Sequence, residues 1–299
     1  MNRLAKRKTK SVVNHIILGV VAFCFAFPLF WMFMTSFKTP REYYSMPPKL
    51  FPSKVQFFHY REAFFPWTID PNELSESTYY IEESAGRVES VVPNIFNSLI
   101  IVGGSVGISL LVGIWAAYAL SRFTFKGSKD IGLWILSTRM MPPIVIAVPL
   151  FWMMRKMHLT GTHIGLMLIY VLFQLPFVVW MMKGFFDEIP KVIEESVLVD
   201  GGSRATSLFR VIIPLSLPGV VATALFCIFM TWTEFLFASI LTDSSSATLP
   251  VVLSNFRQDR GILWGQMSAV MVVSLLPLFT IVMVLQKKMI QGLTAGSIK

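Results

Sequence analysis

The sequence predicts an all-α polytopic membrane protein with six transmembrane helices. Hydrophobic residues make up 54% of the 299 residues and charged residues only 14%, which is too apolar for an ordinary soluble domain. A bilayer core of about 30 Å needs roughly 20 apolar residues per helix. Six such stretches follow one another, at about 14–37, 93–121, 131–154, 163–183, 216–241 and 265–287. The short connections between most of them leave little room for a soluble catalytic domain.

The net charge of +9 indicates membrane orientation rather than a nucleic-acid partner. Basic residues cluster before the first span, after the second and after the sixth: Arg3, Lys6, Arg7, Lys8, Lys10, Arg122, Lys126, Lys129, Lys287, Lys288 and Lys299. An even number of spans puts all three clusters on one side, which the positive-inside rule makes cytoplasmic. Arg155 and Lys156 depart from this pattern, as a snorkelling pair at a helix end can. We therefore expect both termini in the cytoplasm.

The first span reads as a retained membrane helix. Its apolar run continues to Phe37, which is too long for a typical signal peptide. The polar, acidic and proline-rich segment 38–92 follows on the external side. It is either a solvated loop or a docking surface for an external partner. His59 stands alone there, and Cys24 and Cys227 lie in apolar stretches where they pack as small hydrophobes, so no metal site is expected.

The segment between the fourth and fifth spans predicts a first short amphipathic helix on the cytoplasmic side. Asp187 and Glu188 complement the positive N-terminal end of this helix, and Pro190 suits its first turn. Gly201 or Gly202 can take the left-handed conformation that ends it.

A second short helix follows directly. Ser203 can cap its N-terminus, and we expect it to run to about Ile212 before Pro214 stops it. Apolar residues stand four positions apart in each of the two helices, so each helix has an apolar face. Such a pair suits either docking on a protein partner or lying flat on the membrane surface.

A spaced motif runs through both helices: Glu195-Ser-Val, three residues, Gly201, nine residues, and Val-Ile-Ile-Pro214. It resembles the EAA loop of binding-protein-dependent ABC importer permeases, whose pattern is Glu-Ala-Ala, three residues, Gly, nine residues, Ile-x-Leu-Pro. Ser196 and Val197 replace the two alanines, and Val and Ile replace Ile and Leu before the proline. Neither an ion-gradient transporter nor a membrane enzyme has a reason to carry this spacing.

Two further stretches narrow the resemblance. Residues 232–242, with Thr-Leu-Pro-Val at 248–251, are similar to the fifth span and following loop of sugar-importer permeases. The ending at 292–299 resembles the C-terminal tail of the smaller, maltose-type permease subunit. The fold implied is an ABC importer type I transmembrane domain. Three regions follow from it: a membrane helix and external loop at 1–92, the transmembrane domain at 93–291 with its cytoplasmic loop at 187–214, and a cytoplasmic tail at 292–299.

The resemblance implies a transport assembly in the bacterial cytoplasmic (inner) membrane. Its other members would be a second related permease, two ATPase subunits and an external solute-binding protein. ATP and Mg would bind to the ATPase, because this chain lacks the Gly-x4-Gly-Lys-Ser/Thr phosphate loop; the chain itself is expected to be no enzyme and to need no cofactor. The expected substrate is a sugar, oligosaccharide or polyol. The alternatives are another solute such as glycerol phosphate or, in another class, an ion-gradient-driven transporter, although the chain shows no carboxylate relay or inverted repeat.

The same resemblance implies two sets of contact residues. The first helix of the loop would sit in a cleft of the ATPase, where Glu195 would meet a basic residue, while its neighbour Glu194 stays solvated. The expected coupling residues are Glu195, Ser196, Val197, Asp200, Gly201 and Pro214. The tail would reach the ATPase through Gly292, Leu293, Thr294, Ala295 and Gly296, in an extended or turning backbone.

Arg139 and Glu234 are the only charged residues well inside the predicted spans. Ionisable groups at membrane depth cost a few kcal/mol, so they usually face a cavity or each other. Arg139 directly precedes a Met-Met-Pro-Pro break. It either lines the translocation path, pairs with Glu234 or lies at a helix end. Trp232, Asn97 and Gln174 are secondary candidates for the path.

Overall fold

The computed structural model describes residues 3–69, 90–258 and 261–295, which form two compact units. The first contains the described residues up to Val91 together with those between Asn255 and Leu275, and the second contains Val92–Ser254 and the described residues from Leu276 onward. The first unit therefore includes a stretch from the region 93–291, which the sequence assigned to one domain.

The regular secondary structure of the described residues is helical apart from one short antiparallel ribbon, in which Arg257 pairs with Ile262. The ribbon consists of β1 (Arg257–Gln258) and β2 (Gly261–Ile262). Shorter helical turns lie at Pro66–Thr68, Thr138–Met140 and, as a π-helical turn, Leu208–Ile212. The helices are α1 Arg3–Thr35, α2 Pro40–Tyr43, α3 Phe58–Phe64, α4 Val92–Arg122, α5 Ser128–Ser137, α6 Pro143–Lys156, α7 His163–Asp187, α8 Lys191–Val199, α9 Arg204–Ser207, α10 Ile213–Leu215, α11 Leu217–Trp232, α12 Leu236–Leu241, α13 Leu249–Asn255 and α14 Trp264–Ala295.

Four of the described helices are long and apolar enough to cross a membrane unbroken. They are Val13–Thr35 within α1, α4, α7 and Trp264–Gln286 within α14. Two bent pairs raise the number to six if each counts as one span: Ser128–Met140 with α6, at 96°, and Arg204–Leu215 with α11, at 77°. The predicted all-α membrane fold is confirmed. The break in the third span lies at the predicted Met-Met-Pro-Pro sequence. The fifth span differs from the prediction, because α11 already ends at Trp232 and a separate helix, α12, follows it.

Proline chemistry explains the break in the third span. Residues that precede a proline avoid the helical region, and Met141 and Pro142 are both extended, with ψ of 125° and 129°. Pro143 then begins α6, where its missing amide proton costs nothing.

The second short helix of the segment before the fifth span does not stop at Pro214, where the sequence predicted its end. Pro214 lies inside the short helix α10 and does not stop the chain there. The bend follows Ser216, whose hydroxyl donates to the carbonyl of Ile212 at 2.7 Å. Pro218 stands two residues after Ser216, in the first turn of α11, where proline is tolerated.

Two polar side chains of the segment after the first span are buried. Lys38 is 1% exposed; its ammonium donates to the Lys49 carbonyl at 2.7 Å and lies 4.0 Å from the Trp31 ring centroid. His59 is buried, with Nε2 2.5 Å from the Tyr43 hydroxyl. Burial lowers the pKa of His59 and favours its neutral form. Lys38 and His59 are therefore buried rather than solvated, whereas most residues between 44 and 57 are exposed, as in the solvated-loop prediction. Residues 70–89 lie outside the described residues.

The end of the chain also differs from expectation. Helix α14 continues through Gly292 to Ala295, so the extended or turning backbone predicted for the tail is wrong for Gly292, Leu293, Thr294 and Ala295. Gly296 lies outside the described residues. Both cysteines are free; Cys227 is buried, whereas Cys24, which was expected to pack as a small hydrophobe, is exposed.

The second unit is built around close contact between α4 and α7. A Cβ at Gly113 would lie 2.5 Å from Cγ1 of Val178, so only glycine allows these two helices to approach so closely. Gly107, on the same helix, has open space around the equivalent position. The core beside this contact consists of Ile101, Ala147, Leu150, Met154, Leu166, Ile169, Tyr170, Phe237, Ala238 and Leu241.

We expect Gly113→Leu to destabilise the protein by about 1–3 kcal/mol, because the added side chain overpacks against Val178. Gly107→Leu is the matched control and should leave stability unchanged. Thermal unfolding of the detergent-purified protein measures both, and Val178→Ala should partly restore the Gly113→Leu protein. Equal losses in Gly113→Leu and Gly107→Leu would contradict this account of the packing.

Candidate functional site

The segment between α7 and α11 forms the predicted pair of short helices. Pro190 caps α8 from outside rather than standing in its first turn. Gly201 ends α8 with φ of +82°, a conformation that side chains disfavour. Ser203 caps α9 by accepting a hydrogen bond from the amide of Thr206 at 3.1 Å. The predicted left-handed glycine and the predicted serine cap are both confirmed. We call residues 188–216 the helical loop.

Asp187 does not serve the helix that the sequence suggested. It is the last residue of α7, and its carboxylate accepts from the Ser121 hydroxyl at 2.6 Å and from the Lys183 ammonium at 2.5 Å. The side chain therefore joins the ends of α4 and α7 instead of complementing the N-terminus of α8.

Glu194 is the buried centre of the helical loop. Its Oε1 accepts from the Tyr118 hydroxyl and from Nη1 of Arg204, the latter at 3.3 Å. Its Oε2 lies 3.0 Å from Nε of Arg122, an ion-pair distance without hydrogen-bond alignment. The side chains of Glu194 and Arg122 are both 3% exposed. The expectation that Glu194 is solvated is therefore wrong.

The two arginines extend this contact to neighbouring elements. Arg122 also donates from Nη2 to the Ile189 carbonyl at 3.0 Å, which holds the entry to the loop. The guanidinium of Arg204 lies 4.9 Å from the Phe123 ring centroid. One carboxylate thus joins the C-terminal end of α4 to both α8 and α9. Removing one partner of such a buried pair costs about 3–5 kcal/mol, because the other charge stays buried and uncompensated.

Apolar contacts reinforce the attachment of the loop. Leu208 and Ile212, at the two ends of the π-helical turn, are fully buried. The ring of Phe209 packs edge-on against Trp115 of α4, with centroids 5.4 Å apart. The second helix of the loop is therefore held by hydrophobic burial as well as by charge.

The opposite face of α8 is exposed and carries most of the predicted coupling residues. Glu195, Ser196 and Asp200 are exposed, Val197 is half-buried, and Pro214 is exposed at the end of the loop. Val192 and Val199, on the same short helix, are 70% and 86% exposed. This face presents a carboxylate between apolar side chains, a composition suited to a protein partner.

The intramembrane candidates do not form one group. Glu234 accepts from the Tyr170 hydroxyl at 2.9 Å and from the amides of Phe237 and Ala238, at 3.0 and 3.3 Å. It therefore serves the first turn of α12. Arg139 and Glu234 make no ion pair among the described residues, so the pairing alternative is wrong. Arg139 donates instead to Sδ of Met230 at 3.5 Å.

The three secondary candidates are buried. The side-chain amide of Asn97 donates to the carbonyls of Ser245 and Ala247, and its Oδ1 lies 2.8 Å from Nε2 of His163. Asn97 therefore holds the loop between α12 and α13. Trp232 is 7% exposed. Gln174 is 3% exposed and donates weakly to the Ser105 hydroxyl at 3.4 Å. Within the described ranges, no cluster of three His, Cys, Asp or Glu side chains could hold a metal ion.

Sequence reasoning missed the partners of Glu194. Tyr118 and Arg122 stand four residues apart at the end of a span, so they share one helix face. This spacing is a usable signal for a paired polar contact. Nothing in the sequence says that the acceptor lies more than 70 residues later.

The second unit thus combines bent pairs of apolar helices with a capped pair of short helices attached to their ends. A crystal structure of a bacterial ABC transporter involved in the import of the acidic polysaccharide alginate shares this fold. Its chain matches with a TM-score of 0.71, covering 96% of this chain and 98% of that chain at 20% identity. The chain belongs to the family described as binding-protein-dependent transport system inner membrane component, whose model matches residues 109–294.

Full-length relatives agree with this assignment. The inner membrane ABC transporter permease protein YcjP of Escherichia coli is 33% identical over 98% of both chains. The diacetylchitobiose uptake system permease DasC of Streptomyces coelicolor is 30% identical over 95% of both. The trehalose/maltose transport system permease MalG of Thermococcus litoralis is 29% identical over 96% of this chain and 95% of its own. The resemblance predicted from the sequence is confirmed.

We expect Glu194→Ala to lower the free energy of unfolding much more than Glu195→Ala. Glu194→Ala leaves Arg122 buried without its counter-charge and should cost about 3–5 kcal/mol. Glu195→Ala alters an exposed position and should stay within about 0.5 kcal/mol of the parent protein. Thermal unfolding and limited proteolysis of the loop report the difference. Similar behaviour of the two variants would overturn the distinct roles of the buried and exposed carboxylates.

Proposed function

We propose that this ABC importer permease carries a carbohydrate, as one of two related permeases that together form the translocation path. The names of two relatives, a diacetylchitobiose permease and a trehalose/maltose permease, support a sugar or oligosaccharide as substrate. The similarity of residues 232–251 to sugar-importer permeases supports the same class. An external solute-binding protein delivers the substrate, and two separate ATPase subunits bind ATP and Mg.

We place the helical loop and both termini in the cytoplasm of a bacterial cell, with the protein in the inner membrane. The basic residues before the first span and after the second and sixth support this orientation. The ATPase subunits then meet the loop from the cytoplasmic side. The exposed face of α8, with Glu195 between apolar side chains, is the surface that enters the cleft of the ATPase.

The coupling role is supported by the different positions of two adjacent carboxylates, one buried and the other exposed. Glu194 fixes α8 to Arg122 at the end of α4, and Glu195 stays exposed for a partner. Force applied to α8 therefore reaches a membrane-crossing helix through a buried ion pair. Closure of the ATPase dimer would move the loop and α4 together and change access to the path, a rigid-body type of transition.

The segment 292–296 is our proposed second contact with the ATPase. Helix α14 runs to Ala295, so it extends about 13 Å beyond Gln286, where the apolar part of the helix ends. That length takes the chain clear of the hydrocarbon core.

Deleting 292–299 should impair assembly with the ATPase while membrane insertion stays normal, as copurification and membrane fractionation would show. Unchanged assembly and transport would rule out this contact.

We expect Glu195→Lys to reduce the coupling of ATP hydrolysis to transport more than Glu195→Ala does. The lysine places like charges face to face in the ATPase cleft, whereas alanine only removes one ion pair. The measurement is transport and substrate-stimulated ATP hydrolysis in reconstituted vesicles. Glu188→Lys, another exposed carboxylate of the loop, is the matched control and should behave as the parent. If the contact were solvent-exposed it would be worth about 0–1 kcal/mol and both Glu195 variants would be nearly silent. Full activity of Glu195→Lys would contradict the coupling role of Glu195.

Purification of the tagged chain should recover a second permease and an ATPase. The chain carries one helical loop, whereas an ATPase dimer offers two clefts. The associated binding protein, screened by thermal shift against maltose, trehalose, diacetylchitobiose and glycerol phosphate, should select a carbohydrate. Recovery of a transport-active homodimer would contradict the heterodimer. Selection of glycerol phosphate would contradict the substrate class.

A further inference from the structure

Arg139 lies beside the middle of the long apolar helix α7. It belongs to the short turn Thr138–Met140 between α5 and α6, and its guanidinium carbon lies 5.0 Å from the ring centroid of Phe177. Phe177 stands 14 residues after His163 and 10 before Asp187, the two ends of α7. At the rise of an α-helix, those ends are about 21 Å and about 15 Å away along the axis. The guanidinium therefore lies far from both ends of an apolar, membrane-crossing helix.

The guanidinium of Arg139 is poorly satisfied at this depth. Among the described residues it donates only to Sδ of Met230, at 3.5 Å, and a thioether is a weak acceptor. No carboxylate of the described chain lies within ion-pair distance. Glu234 is occupied by Tyr170 and by two backbone amides. Arg139 is exposed, so its remaining donors face outward from the chain.

Lipid is an unsuitable neighbour for this group. A charged guanidinium in hydrocarbon is costly, and such residues face a bundle interior or a water-filled cavity instead. The Met-Pro-Pro break fixes the turn that carries Arg139, so the side chain is placed by backbone geometry rather than by a flexible loop. A donor-rich, permanently charged side chain at this point requires oxygen acceptors from outside the chain.

Aromatic rings beside Arg139 indicate which kind of molecule carries these oxygen acceptors. Phe177 packs against Phe226 with centroids 5.8 Å apart, and Phe226 is 57% exposed. A sugar ring has an apolar face that covers such rings and hydroxyl oxygens that accept from a planar guanidinium. We propose that Arg139, with Phe177 and Phe226, binds the carbohydrate at mid-membrane during its passage. This inference rests on the proposed carbohydrate transport. Arg139 provides the hydrogen bonds and the exposed ring of Phe226 provides the stacking surface, with Phe177 packed edge-on beside it.

Transport measurements test the binding role. In vesicles that contain the complete importer and its binding protein, Arg139→Met should lower transport of the carbohydrate that this binding protein selects about 10- to 100-fold, the loss that charged hydrogen-bond donors account for. ATP hydrolysis stimulated by the binding protein should persist, so more ATP is spent per molecule transported. Arg139→Lys should restore part of the transport. Arg155→Met is the matched control, because Arg155 also lies over a ring, 5.6 Å from Trp152, but at the end of α6. It should transport normally.

A thiol-labelling experiment tests the location without any assumption about substrate. Arg139→Cys, in a chain carrying Cys24→Ala and Cys227→Ala, should react with a membrane-impermeant sulfonate thiol reagent in at least one nucleotide state. Bound carbohydrate should slow that reaction. Absence of labelling in all states would overturn the proposal, as would normal transport by Arg139→Met. Loss of the second permease from purified Arg139→Met complexes would reassign Arg139 to the subunit interface. Labelling without transport of any sugar by the parent protein would instead reject the carbohydrate assignment alone.

Discussion

The buried carboxylate of Glu194 is the interaction on which the arrangement of the loop depends. It forms ion pairs with Arg122 from α4 and Arg204 from α9, and accepts a hydrogen bond from Tyr118. Two positive charges and a phenol hydroxyl converge on one group that water does not reach. Low local polarity strengthens such contacts and equally makes each partner costly to lose. The loop is therefore fixed to the membrane helices by a small number of interactions that depend on one another.

The broken spans show how the chain combines rigidity with an irregular membrane region. Prolines separate α5 from α6, whereas the π-helical turn and Ser216 precede the second bend. Non-helical backbone in a membrane is tolerated where protein or water satisfies it. The irregular turn at Arg139 is also where the chain presents a charge. Backbone interruption and polar chemistry thus coincide at one place in the second unit.

Features that depend on local chemistry could be predicted from the sequence. The count of apolar stretches, the left-handed Gly201 and the Ser203 cap all follow from rules that act over a few residues. The motif around Glu195 gave the family. The environment of Glu194 could not be predicted, because its partners Tyr118 and Arg122 come from a distant helix and adjacent carboxylates look alike in sequence.

The fixing of α8 to Arg122 has a consequence for how parts of this family can be exchanged. The loop is continuous in sequence with α7, yet its buried carboxylate takes its counter-charge from the end of α4. The loop is therefore not a self-contained module. A hybrid permease that receives only the segment between the fourth and fifth spans would lose the arginine that its glutamate requires, unless the recipient supplies one. The natural unit of exchange consists of two separate pieces of chain, and the two must be inherited together.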